Sequence, residues 1–405
     1  MAKKQRKSKN SFFQFLNDNS IKVILGVVAS SSFAIAFGQE KISQWVSLSS
    51  SSNSACLDQF YRDVPPYLIR PSLKSDTYSL CFNGFNMMYS GVSKTPLWVA
   101  EALTVSRLSQ KKIPREDSFH EETAVKPEHR ATLADYRGSG YDRGHMAPNA
   151  DMSNKAAQSD SFSLANMIPQ APKNNQQVWR ELEEATRAIV TKQKQDVYVV
   201  TGPVFTPEYL KKTNLSSISQ ERTNCKKQQE KNDKEKPDQK SNVNKKLYND
   251  CIAQITPNSE ILVPKYVYKA LYIPKTGVSG VYYAPNDDSL QVKIVSICYL
   301  EERLGINLFP QITEDQKRNT YKLPLEASEV KANQQISYSS WDGESQCAEE
   351  VSEENLQALQ REFKSSGSSS SSSSATGGMI DNETQDTIKK QLIDALLQYI
   401  LQLLK

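Results

Sequence analysis

The sequence predicts an α+β domain, and three observations carry that expectation. Runs rich in β-branched residues at 197–200 and 292–297 read as strands. Val178, Leu182, Ala185 and Ile189 recur at helical spacing with no Gly or Pro between them, so a helix is expected to begin near Asn175. The polar, Gly-containing segment Asp142-Arg143-Gly144-His145 precedes Asn175 by about thirty residues and is expected to form a hairpin leading into that helix.

With 405 residues, 38% of them hydrophobic and 24% charged, the chain is long enough for one large domain plus tails. A net charge of +4 does not by itself indicate a nucleic-acid partner, so local clusters have to decide. At the N-terminus, Lys3, Lys4, Arg6, Lys7 and Lys9 precede an apolar run over 23–37. A basic stretch before a short apolar one has the form of an export signal, here 1–38, with cleavage after Ala36 or Gly38. The run falls short of the roughly twenty residues that span a bilayer. An exported protein, periplasmic or secreted, is therefore expected, with an uncleaved N-terminal anchor as the alternative.

Residues 39–78 form a Ser-rich spacer and lead-in, and 79–325 hold the core domain. Within it, 211–246 is an insertion with eleven basic and five acidic residues. Such a run reads as a solvated loop, or alternatively as an arm that contacts phosphates. Cys56, Cys81, Cys225, Cys251, Cys298 and Cys347 include no Cys-x-x-Cys pair, and with an export signal their even number favours disulfides. Cys225 and Cys251 bracket a Lys-rich stretch and are expected to pair, closing the insertion. A C-terminal extension over 326–364 leads to a Ser/Gly linker over 365–378. The last segment, 379–405, is an amphipathic helix with Ile388, Leu392, Leu396, Ile400 and Leu404 on one face, suited to self-association or a partner protein.

The chemistry concentrates in 142–183. Phosphodiester hydrolysis needs a base for the attacking water and positive charge against the developing anion. His145 can supply the base, because imidazole titrates near neutrality, and Arg143 can offer a planar fork to phosphate. Asn175 provides a neutral oxygen of the kind hard Mg²⁺ accepts while keeping most of its waters. Asn is equally a preferred helix cap, and a lone His beside Arg is commonly a surface turn, so these residues alone leave a structural role open. On a regular α-helix Glu183 lies roughly 80° round from Asn175 and about 12 Å along the axis, too far for both to grip one ion. Contact through water is the expectation for Glu183. His120 and His129 have no metal spacing, three histidines argue against a zinc cluster, and Trp179 is expected in the core.

Further blocks surround these residues. Arg115 and Phe119 before Glu121-Glu122, then His129-Arg130-Ala131-Thr132 and Asp135-Tyr136-Arg137-Gly138-Ser139-Gly140-Tyr141, lead into Asp142-Arg143-Gly144-His145-Met146-Ala147-Pro148. The stretch Val197-Tyr198-Val199-Val200-Thr201-Gly202-Pro203, then Val263-Pro264-Lys265 and Leu300-Glu301-Glu302-Arg303-Leu304-Gly305, follow in order. In these blocks, roughly 80–312, the chain resembles the DNA/RNA non-specific endonucleases, the endonuclease G-like enzymes with a ββα-metal (His-Me finger) site. The resemblance implies a central antiparallel sheet flanked by helices. It implies His145 as general base, Asn175 as direct metal ligand and Glu183 holding metal-bound water. Arg115 and Arg143 would contact phosphate, with Arg107 the alternative to Arg115, and Asn166 would line the site and orient catalytic groups.

The expected function is an exported endonuclease dependent on Mg²⁺, or alternatively Mn²⁺, that cuts DNA and RNA with little sequence preference and leaves 5′-phosphate ends. The alternative is a nucleic-acid-binding protein with weak turnover, used for uptake or attachment. Intact His145, Asn175 and Glu183 count against it, because a binding module has no use for a general base. An inhibitor protein is a possible partner, since a nuclease made before export threatens its own cell.

Overall fold

The computed structural model describes residues 56–205 and 259–370, with positions 220, 223, 224, 227, 231 and 234 between them. The export segment, the first part of the spacer, most of the Lys-rich insertion, Cys225, Cys251 and residues 371–405 lie outside the described residues, and so do the expectations placed on them. Two units divide the chain, Met1–Gly367 and Ser368–Lys405. Apart from the end of the last helix, all the elements named below belong to the first unit.

In chain order the elements that position the site begin with β1 (Thr77–Phe82), β2 (Phe85–Ser90) and β3 (Thr95–Leu103). The short strands β4 (Asp142–His145) and β5 (Met167–Gln170) come next, then α1 (Arg180–Gln193). Four sheet strands succeed them, β6 (Val197–Val204), β7 (Tyr266–Ile273), β8 (Val278–Pro285) and β9 (Lys293–Val295). Helices α2 (Ile297–Leu304) and α3 (Glu353–Ser370) complete the set. Seven strands make one antiparallel sheet in the order β9-β8-β7-β6-β3-β2-β1, while β4 and β5 pair with each other.

The sheet is covered on both faces, which explains why its central strands are almost continuously apolar. Side chains alternate across a strand. Val199, Val267, Leu271 and Tyr282 therefore pack in one layer, and Val200, Tyr268, Ala270 and Tyr283 in the other. The first layer is closed by Met146, Ala147 and Ile168 of the β4–β5 region and by Trp179, Leu182 and Ile189 of the helical segment. Phe60, Ile297, Leu300 and Phe363 close the second, where Phe60 and Phe363 meet edge to face with ring centroids 5.2 Å apart. The hairpin and its helix thus sit on one face of the sheet, and the N- and C-terminal elements on the other.

Three local expectations are corrected. The run 292–297 is a strand only over Lys293–Val295, because the Ser296 hydroxyl accepts from the Tyr299 amide and starts α2 at Ile297. The helical segment starts at Pro172–Lys173, is π-helical over Asn174–Trp179, and returns to α geometry at Arg180. The stretch read as linker from Ser365 is helical through Ser370. Buried Leu356 and Phe363 anchor α3 upstream, and the hydroxyls of Ser365 and Ser366 donate back to the carbonyls of Glu362 and Phe363.

Two disulfides are present among the described residues, as the cysteine count led one to expect. Cys56–Cys81 ties the start of the domain to β1, and Cys298–Cys347 ties α2 to the C-terminal extension. The extension is also held by the buried Glu301 carboxylate, which pairs with Lys317 at 2.9 Å and accepts from the amides of Leu308 and Ala348.

Candidate active site

β4 and β5 pair antiparallel, with Arg143 opposite Pro169, Gly144 opposite Ile168 and His145 opposite Met167. Period-two alternation turns Arg143 and His145 to the same side, away from Gly144. Gly144 is required by close approach: a Cβ there would lie 2.0 Å from Gln170 Oε1 and 2.6 Å from Gln170 Cβ. Gly144→Ala should therefore force the hairpin apart and cost about 1–3 kcal/mol in thermal unfolding. An unchanged melting temperature would show that the Gln170 side chain yields freely.

A cavity of about 620 Å³ opens beside this hairpin, and His145, Arg143, Arg115, Asn175, Glu183 and Arg187 all line it. Residues from widely separated parts of the chain are thus gathered on one wall. Asn175 and Glu183 both reach the cavity although the π-helical turn between them departs from the regular α geometry used to place them.

The His145 ring packs against Phe162, with centroids 5.2 Å apart, and against Phe119 at 5.8 Å. Burial, aided by the Arg115 guanidinium, pushes its pKa down to about 3, while Asp117 and a hydrogen bond to the Arg143 backbone pull the other way. At neutral pH the ring is uncharged, and its Nε2 has no hydrogen-bond partner among the described residues. The ring is thus in the unprotonated form that a general base requires, while its burial makes it a weaker base than a free imidazole. Burial also pushes the Glu183 carboxyl up to about 7, against the pull of Lys269 and Arg187.

Arg143 is exposed and its Cζ lies over the Phe119 ring, 3.9 Å from the centroid. Arg115 is exposed, pairs with Asp117 at 2.6 Å and stands 5.3 Å from the Phe162 centroid. Arg107, its rival in the sequence, is committed elsewhere. Its guanidinium donates to the carbonyls of Gly84, Ala102 and Asp151 and pairs with buried Glu101, so it braces the start of the loop and lies off this cavity.

Asn166 departs from expectation. It is fully buried and does not line the cavity. Its Oδ1 accepts from the Ala147 amide, and its Nδ2 donates to the carbonyls of Ala147 and Ser161. Both amide hydrogens and the oxygen of the carboxamide are thus engaged with backbone, two of the three bonds fixing Ala147 just after His145, so Asn166 holds that segment in place without touching the cavity.

Two contributors escaped the sequence reading. Asp142 accepts from Asn175 Nδ2 at 2.9 Å and from Gln176 Nε2 at 2.8 Å. Arg187 follows Glu183 by one helical turn and is held by buried Asp151 at 2.8 Å. The spacing of Glu183 and Arg187 (i, i+4) was a usable signal, since such residues share a helix face. The other two histidines have structural roles, His129 meeting the Tyr78 hydroxyl at 2.6 Å and His120 the Ser118 carbonyl at 2.8 Å. Trp179 is buried, as expected.

Among the described residues no group of three or more His, Cys, Asp or Glu could hold a metal ion. An ion here would take one protein oxygen and fill its shell with water and substrate. Asn175 fits that requirement. With its Nδ2 committed to Asp142, its Oδ1 is left as a neutral hard donor on the cavity wall.

A family model described as DNA/RNA non-specific endonuclease matches residues 66–340. The chain belongs to this family. Its ββα arrangement, β4 and β5 followed by the helical segment ending in α1 beside a central antiparallel sheet, is the fold expected of a member. Human mitochondrial endonuclease G is 44% identical over 137 residues, covering 33% of this chain and 43% of that protein. The mitochondrial nuclease EXOG of Danio rerio is 28% identical over 254 residues, covering 60% of this chain and 64% of that protein. The chain thus spans less than two thirds of these relatives. A crystal structure of the EndoG/EndoGI complex aligns with a TM-score of 0.45 at 23% identity, covering 62% of this chain and 93% of that one.

Proposed function

We propose that the protein is a metal-dependent endonuclease that hydrolyses phosphodiester bonds of DNA and RNA with little sequence preference. The observation that carries this reading is the convergence of His145, Asn175, Glu183, Arg115 and Arg143 on one cavity. Membership of the family and relatives named as nucleases support the substrate class.

In this reading neutral His145 takes the proton of the attacking water. Arg143, braced on Phe119, and Arg115 offer guanidinium forks to the non-bridging phosphate oxygens, and Arg187 adds charge from α1. Asn175 Oδ1 would hold the divalent cation, Mg²⁺ in our reading with Mn²⁺ as the alternative, and Glu183 would accept hydrogen bonds from water beside it. When bound, the cation polarises the phosphate and stabilises the departing 3′ oxygen, so that 5′-phosphate ends result.

Export is part of the same proposal. It is supported by the basic and then apolar residues of 1–38 and by the Cys56–Cys81 and Cys298–Cys347 bridges, since disulfides persist in oxidising compartments. Outside the cytoplasm the enzyme would be periplasmic or secreted, or held by an uncleaved anchor. The segment 379–405 is assigned to self-association or a partner protein on its apolar face, and an inhibitor would protect the producing cell.

The test is cleavage of supercoiled plasmid and of RNA by the full chain, with Mg²⁺ and with a chelator. Metal-dependent nicking followed by degradation is expected; binding without cutting across several metals would overturn the reading. Asp142→Ala should then raise the metal concentration for half-maximal activity about 10–100-fold, because it frees the Asn175 amide to rotate. An unaltered metal titration would remove Asp142 from that role.

A further inference from the structure

The catalytic cavity continues into a second one of about 450 Å³, and the two share Lys112, Ala150, Met152, Glu184 and Arg187. The second cavity runs on past Lys111. Its charges are unevenly matched. Asp151 is taken by Arg187 at 2.8 Å, and Glu184 faces Arg180 at 4.0 Å. Arg107 is consumed by Glu101 and backbone carbonyls. Lys111 and Lys112 are exposed and form no ion pair among the described residues. The acids of this wall are thus matched while two ammonium groups are left over, in a trough that opens directly onto His145 and Asn175.

We propose that the second cavity is a flanking-phosphate subsite, in which Lys111 and Lys112 hold the backbone phosphates on one side of the scissile linkage. The proposal rests on the nuclease reading and deepens it. A nucleic-acid strand is the occupant that the charge selects, since it carries an anion at every residue and, once one phosphate lies over His145, has to leave the catalytic cavity along its walls. Lysines suit this role, because a flexible stem with a point charge follows a backbone without reading bases. Contacts of this kind raise affinity equally for every sequence. The third cavity, of about 520 Å³, adjoins the site on the side of Arg137 and Tyr136 and shares Arg115 and Arg143 with it. Asp117 and Asp142 also line it, so three guanidinium groups there meet two carboxylates, whereas in the second cavity Lys111, Lys112, Arg107 and Arg187 meet only Asp151 and Glu184.

The experiment uses the full chain with short oligonucleotides that contain one ordinary phosphodiester. On either side of it stand phosphorothioates, which are charged and slowly cut, or methylphosphonates, which are uncharged. For wild type, methylphosphonates on one side should raise KM about 3- to 10-fold, the worth of one or two exposed charge contacts. Lys111→Ala/Lys112→Ala should raise KM on the charged substrate by a similar factor with kcat held, and should no longer distinguish the two flanks. Its plot of log KM against log salt should flatten by about 0.7 for each phosphate that is no longer neutralised. Lys111→Glu/Lys112→Glu, which alters the same exposed positions, should raise KM further.

A double alanine variant that still penalises the uncharged flank as wild type does would overturn the subsite, as would a fall in kcat at unchanged KM. Should wild type leave the ordinary linkage intact with metal present, the nuclease reading itself falls and the subsite with it. Cleavage with no preference between flanks overturns the subsite alone.

Discussion

His145→Ala should lower kcat for plasmid nicking by about 10²–10⁴-fold, the usual contribution of a general base, while KM for DNA changes little. The two expectations separate because different groups carry them. In the proposed mechanism proton transfer falls to the imidazole, whereas affinity would come from the cavity-lining Arg115, Arg143 and Arg187, which the substitution leaves in place. Stability should change little as well. The ring lines a cavity and its Nε2 has no partner among the described residues to strand, so truncation forfeits only the contacts with Phe119 and Phe162 and the hydrogen bond to the Arg143 backbone. The measurement is initial nicking rate against DNA concentration at saturating metal, beside thermal unfolding of both proteins. A loss confined to KM, or one explained by a large fall in melting temperature, would remove His145 from the proton-transfer role.

The parts of the site that were legible in the sequence are those whose chemistry is local. Asp142–His145 reads as a polar turn-and-strand segment, and Val178, Leu182, Ala185 and Ile189 read as a helix, because periodicity is written into neighbouring residues. The features that stayed hidden depend on contacts across the fold. No pattern in the sequence distinguishes Arg107 from Arg115. Only the Glu101 carboxylate and the Gly84 carbonyl, brought together by the sheet, draw one inward and leave the other at the cavity. Asn166 misled for a related reason: a carboxamide near His145 suggests a cavity-lining role, yet its oxygen and both its amide hydrogens are engaged by the backbone of Ala147 and Ser161. The π-helical turn was also beyond reach. Its sequence, Asn-Asn-Gln-Gln-Val-Trp, carries no Gly or Pro to mark a change of winding.

Lys317→Met should destabilise the fold by about 3–5 kcal/mol, the cost of removing one partner from a buried ion pair. Lys317 and Glu301 are 5% and 0% exposed, and Lys317 Nζ also donates to Asn307 Oδ1 at 2.7 Å. Burial already holds the Glu301 carboxyl above its ordinary pKa, with Lys317 and the amides of Leu308 and Ala348 opposing the shift. Loss of the lysine would raise it further. A carboxyl whose folded pKa exceeds its unfolded value favours the fold fully below the unfolded pKa, and the benefit fades as pH rises through the folded one. The deficit of Lys317→Met should therefore be larger at pH 8 than at pH 5, read as the difference in unfolding free energy from wild type at each pH. Adding Glu301→Gln removes the stranded charge and keeps an oxygen for the Leu308 amide. The double variant should thus recover much of the loss, with a coupling energy of about 1–3 kcal/mol. Because this pair joins α2 to the short helix Glu314–Arg318, and α2 packs on the sheet face opposite the hairpin, the folded double variant should retain the wild-type kcat. A fall in kcat with stability restored would instead mean that the pair governs the geometry of the cavity across the sheet.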